Sequence, residues 1–272
     1  MNTFVIAGGN SGIGLQVARQ LLVAGHRVII LGRDEAKGKA ALASFGPARD
    51  RAEFLSVDLS ARAGMPDVAG RITALSDRID GVLHSAGTMR TGDARTPDGI
   101  PPFFAVSYLS RYHLTQLLLP SLLKADRPRV VMMTALMRNV PRVNPELFPS
   151  FTGFSFQRLI PQVNGAAMYY ASHLSATYPK LFAGLACPGL VRTDIFRDAP
   201  WFIKAMVTVT GPFMANSVET AASNPTQALL RGEGSTAIYW GKATDFNDQK
   251  PVTVDPGIRQ AVIDASRDAT GV

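Results

Sequence analysis

The stretch that constrains the fold most is "VIAGGNSGIGLQVARQ", residues 5–20. An apolar strand-like run gives way to glycines at 8, 12 and 14, and then to a helical pattern. Leu15, Ala18, Leu21 and Leu22 share one helix face, and Gly25 ends it. Each glycine has a steric reason. Gly8 permits a tight turn, Gly12 lets backbone approach a ligand, and Gly14 allows the helix to pack closely on the strand. The helix N-terminus aims N–H groups and positive potential at the same point, which suits a pyrophosphate. Asn10, Ser11 and Ile13 complete the expected cofactor loop.

The rest of the chain repeats that unit. Further strand-like runs are "RVIILGR" (27–33), "AEFLSVDL" (52–59), "IDGVLHSAG" (79–87), "RPRVVMMTA" (127–135), "LFAGLACPG" (181–189) and "STAIYWG" (235–241). Helical patterns fall between them at about 12–25, 34–45, 66–76 and 102–124, and a further one carries "MYYASHLSA" at 168–176. At 272 residues and 46% hydrophobic, the chain suffices for a large core. The expectation is α/β: one doubly wound domain over 1–272, with helices on both faces of a parallel seven-stranded sheet. Ligands bind such sheets beyond the carboxyl ends of the strands, where the strand order reverses.

The end of the second run names a cofactor. An acidic residue there would bind the ribose 2′-hydroxyl of NAD. This chain has Gly32 and Arg33 instead, a small residue and a cation suited to a 2′-phosphate, so NADP(H) is expected. Asp34 is expected to cap the next helix.

Together with "VDL" at 57–59, "SAG" at 85–87 and "CPGLVRTD" at 187–194, the glycine spacing resembles the short-chain dehydrogenase/reductase family, and within it the retinol-dehydrogenase-like group. The resemblance covers nearly the whole chain. It implies a Rossmann fold in which Asp58 and Leu59 flank the adenine. It further implies that Ala86 and Gly87 line the cofactor, and that Pro188, Gly189 and Thr193 hold its nicotinamide end.

The same resemblance implies a proton relay of Tyr, Lys, Ser and Asn, and here the chain departs from it. Tyr169 fits the Tyr, but His173 stands at the Lys position. The Ser position falls on Ala135 beside Thr134, and the Asn position on Ser107. His173 also lies closer to Pro188 than the family pattern has it, so the helix after Tyr169 must end near Thr177. That shortening makes the family's usual tetramer doubtful. Three readings stay open: a reductase in which Tyr169 donates the proton with His173, Thr134 and Ser107 in support; a reductase of an already polarised enone or iminium; or a non-redox cyclase, isomerase or regulatory protein that keeps the cofactor.

Residues 138–165 form a long break before the Tyr helix. Residues 195–216, with Trp201, Phe202, Met206, Phe213 and Met214, read as a lid. The lid implies a small but bulky apolar substrate of secondary-metabolite character. The net charge of +7 is scattered rather than clustered, which argues against nucleic acid. No metal-ligand spacing is present. A single cysteine, Cys187, permits no intrachain disulfide, and no leader or membrane span is evident, so a cytoplasmic protein is expected. Cys187, His84 and His113 read as packing residues and His26 as a surface one. Arg111, Arg138, Arg142 and Arg158 could face the site mouth and favour an acidic substrate, but read rather as solvated surface.

Overall fold

The computed structural model describes residues 1–90, 94–137, 139–151, 155–191, 215–241 and 245–272. Strands β1 (Thr3–Ala7), β2 (Arg27–Gly32), β3 (Ala52–Ser56), β4 (Gly81–His84), β5 (Arg129–Met133), β6 (Phe182–Ala186) and β7 (Ile238–Trp240) are the seven expected from the sequence. They pair in parallel in the order β3-β2-β1-β4-β5-β6-β7. These strands read as continuous apolar runs because helices cover both faces of the sheet.

An eighth strand, β8 (Gln249–Pro251), adds antiparallel to β7 and corrects the expected count. Its sequence, QKP, contributes no apolar residue, so hydrophobic periodicity gives it no signal. It is an exposed edge held by backbone pairing, and its Lys and Pro suit an edge.

The helices are α1 (Gly12–Val23), α2 (Glu35–Ala43), α3 (Met65–Leu75), α4 (Pro102–Phe104), α5 (Ser110–Leu122), α6 (Phe156–Thr177), α7 (Val218–Arg231) and α8 (Pro256–Thr270). A π-helical turn, Ala105–Leu109, joins α4 to α5. Helix α6 ends at Thr177, where the sequence places its end, but it starts at Phe156, inside the stretch read as a break. Part of that stretch also packs inward. The Phe148 and Phe151 rings lie 4.7 and 4.6 Å from Phe104.

Two layers of core result. One joins α3, α5, α6 and α8 to one sheet face, and the other joins α1 and α7 to the opposite face. The strand order reverses between β1 and β4, and the site is built at that point.

Candidate active site

Every expected cofactor residue except Thr193 lies just past the carboxyl end of β1, β2, β3, β4 or β6. Thr193 and residues 195–214 of the expected lid lie outside the described residues.

The β1–α1 loop is shaped by its glycines. Gly8 has φ +83°, and a Cβ on it would fall 2.6 Å from the Ala86 nitrogen, so the loops after β1 and β4 touch backbone to backbone. A Cβ on Gly14 would fall 2.4 Å from the Gly8 oxygen, which explains how α1 starts directly against the loop. Ser11, at the N-cap of α1, makes no side-chain capping bond. Asp34, Ser217 and Asp255 do cap α2, α7 and α8. The first-turn N–H groups of α1 are therefore left without the usual side-chain acceptor, and the cradle fits a diphosphate in shape and in donors.

At the end of β2, Gly32 is covered by the Asn10 side chain, which a Cβ on Gly32 would meet at 2.5 Å. Arg33 is exposed and has no hydrogen bond or ion pair among the described residues. Asp34 accepts from the Lys37 backbone nitrogen at 2.9 Å, so it caps α2 as expected. After β3, Asp58 is exposed and tied to Ser60 at 2.9 and 2.7 Å, while Leu59 is buried.

The end of β5 holds a contact that sequence reasoning missed. Asn164 of α6 is buried. Its Oδ1 accepts from the Thr134 hydroxyl at 2.6 Å and from the Ala135 backbone nitrogen at 2.9 Å. Its Nδ2 donates to the Ile160 carbonyl at 2.8 Å. The signal was a polar residue at helical spacing within the apolar series Ile160, Val163, Ala167 and Leu174.

Because Asn164 faces the end of β5, the helix fixes where the expected relay points. At 3.6 residues per turn, Tyr169 lies about 140° around α6 from Asn164 and His173 about 180°. Tyr169 is buried. Burial raises its hydroxyl pKa most, Asp255 at the start of α8 raises it further, and Arg142 lowers it somewhat. The pKa of His173 is lowered first by burial, then by Arg259 and Arg267, with Asp264 opposing; all three charged groups belong to α8. Thr134 thus stands at the strand ends, held by Asn164, while the charged groups that act on His173 belong to α8 and those that act on Tyr169 are Asp255 and Arg142. The i,i+4 spacing places those two on one face of α6.

Ser107 sits buried in the π-helical turn, one helical turn before Arg111. Arg111 is not the surface residue the sequence suggested: it is 5% exposed. Its Nη1 donates to the Met133 carbonyl at 2.5 Å and its Nη2 to the Ala86 carbonyl at 3.4 Å. Its Nε is buried without a partner. Arg142 and Arg158 are exposed, as the sequence suggested, while Arg138 lies outside the described residues.

His84 Nε2 lies 2.8 Å from the Thr115 hydroxyl. Burial and, secondarily, Arg111 push its pKa down to about 3, so it is a neutral packing residue at physiological pH. Cys187 is buried, and burial raises its thiol pKa, so it is not activated. His113 is buried too, but His26 is half-buried against Phe4 at 5.4 Å rather than a free surface group.

At β6, the backbone of Val191 bridges to Asn216, and the Asn216 Nδ2 donates to the Pro188 carbonyl at 2.9 Å. The two flanks of the expected lid thus meet at the carboxyl edge. Among the described residues no cluster could hold a metal ion, and no helix is long and apolar enough to cross a membrane.

The comparisons with known proteins agree with this architecture. The family model for short chain dehydrogenases matches residues 2–146. Human polyprenol dehydrogenase (Homo sapiens) is 25% identical, over 98% of this chain and 84% of its own length. Bovine retinol dehydrogenase 12 (Bos taurus) is 26% identical, over 94% of this chain and 80% of its own. A solved structure of an uncharacterized protein from Mycobacterium Paratuberculosis superposes with a TM-score of 0.76 at 24% identity, covering 100% of this chain and 94% of that one. The chain belongs to the short chain dehydrogenase family and is an oxidoreductase built to use a nicotinamide cofactor.

Proposed function

We propose that the protein is an NADP(H)-dependent reductase of a carbonyl, enone or imine in a bulky apolar molecule. The observation that carries the cofactor choice is Arg33. It is an exposed guanidinium with no partner among the described residues, next to a glycine, at the end of β2. A 2′-phosphate would give it a bidentate, charge-assisted partner. Arg33 holds no part of the fold together, so replacing it isolates binding from stability. NADPH should bind at least about tenfold more tightly than NADH, from charge-assisted hydrogen bonds of about 1.5–3 kcal/mol. Arg33→Ala should erase that preference with no change in unfolding midpoint. Equal affinities in the native protein refute the NADP(H) assignment.

The bound cofactor supplies the hydride. The chain supplies position and environment. The uncapped start of α1 would hold the diphosphate, and the Gly8–Ala86 contact sets the loops that flank it. Thr134 is the hydroxyl nearest the end of β5, and Asn164 fixes its orientation. Ser107 lies in a π-helical turn, a distortion common at functional sites. With Ala135 and His173 standing where the family pattern has Ser and Lys, an acceptor already polarised, such as an enone or iminium, suits this chain better than a simple ketone. The apolar character of the substrate rests on two supports. Leu136, just past β5, is 66% exposed, and the relatives above are named for apolar alcohols.

A further inference from the structure

A buried guanidinium is costly unless an anion faces it. Arg111 is almost wholly buried, and burial is what lowers its pKa, to about 9, with no acidic group opposing. Two strand-end carbonyls take two of its N–H groups, its Nε–H has no partner, and among the described residues no carboxylate pairs with it. His84, which the Arg111 charge helps to keep neutral, supplies no counter-charge. Structural need alone does not explain such a group, because a neutral donor would serve two carbonyls at lower cost.

Its place is specific. Met133 ends β5 and Ala86 follows β4, so the charge sits under the edge one strand spacing, about 5 Å, past the β1–β4 reversal. That is the reacting half of the edge rather than the glycine loop. We infer that Arg111 is the counter-charge for an anionic group, a carboxylate or phosphate ester, on the molecule bound over β4 and β5. The inference rests on the proposed reading of that edge as the ligand site, and it narrows the substrate from apolar to amphiphilic, an apolar body with one anionic end.

The test compares benzoate with benzamide, its uncharged counterpart of similar shape, by saturation-transfer NMR titration with and without saturating NADP+. The native protein should bind benzoate about tenfold or more tightly than benzamide, the scale of a hydrogen bond to a charged group. Arg111→Met should remove the preference, and Arg111→Lys should keep part of it. Equal binding of the pair by the native protein overturns the inference without any variant, so misfolding of Arg111→Met cannot shelter it. A preference that survives in a folded Arg111→Met also overturns it. So does a variant that loses NADP+ affinity while the native protein shows no preference, because the charge would then serve the cofactor. Absence of NADP+ binding by the native protein would instead overturn the proposed function, and the cofactor-free comparison would still decide the role of Arg111.

Discussion

Replacing Asn164 by Ala should destabilise the protein by about 3 kcal/mol. The side chain makes three hydrogen bonds, to the Thr134 hydroxyl, the Ala135 nitrogen and the Ile160 carbonyl. Each contributes about 1 kcal/mol net, and the buried Thr134 hydroxyl is left without its acceptor. The cavity adds a little, since Asn to Ala removes few atoms. Because the Ile160 carbonyl is also the helical acceptor of residue 164, that third bond is the weakest contributor. In equilibrium urea unfolding the midpoint should fall with the slope unchanged, and the melting temperature should drop by roughly 6 °C for a chain of this size. Thr134→Val removes the donor of the same bond, so the double variant should fall short of the sum by about 1 kcal/mol. A loss below about 0.5 kcal/mol, or strict additivity, would refute the claim that Asn164 fixes the end of β5.

Two further outcomes follow from the same geometry. Gly14→Ala should destabilise, although alanine favours a helix interior by up to about 1 kcal/mol, because its Cβ would meet the Gly8 backbone oxygen at 2.4 Å; urea unfolding that shows a gain would contradict the packing. His84 has a folded pKa depressed from 6.5 to about 3. The unfolded state therefore binds the extra proton between those values, and stability drops as pH falls below 6.5, by up to about 1.4 kcal/mol per unit. In chemical unfolding from pH 7 to 4, His84→Gln should lose less stability than the native chain, and parallel pH profiles would show that His84 contributes no such linkage.

The sheet was legible because most of its strands are buried on both faces and so read as apolar runs, with the edge strand β3 only partly so. Strand β8 was not, since its three residues are exposed and only its backbone pairs. The glycine loop was legible because close approach leaves no other residue possible at Gly8 and Gly14. The Asn164 contact at the end of β5 was not, for a physical reason. Tyr169 and His173 do share a helix face, as their spacing requires, but α6 is buried on every side from Val163 to Ala171. A span buried all round gives the sequence no exposed side from which to tell which side meets the strand ends. Asn164 marks one side that does. Arg111 was misread for the converse reason: a lone cation on a helix is normally solvated, and its burial depends on strands that are distant in sequence.

Hydride transfer at this edge to an activated acceptor, as proposed above, makes a Tyr169 relay dispensable. Single-turnover absorbance at 340 nm, with NADPH-loaded native protein and Tyr169→Phe mixed in parallel with a panel of apolar ketones, enones and iminium ions, tests it most directly. NADPH oxidation should be stoichiometric with product and fastest for the enones and iminium ions, with rates in the two proteins within about twofold. Product formed with no loss of absorbance, or a Tyr169→Phe rate reduced a hundredfold or more, as loss of a general acid would give, would contradict it.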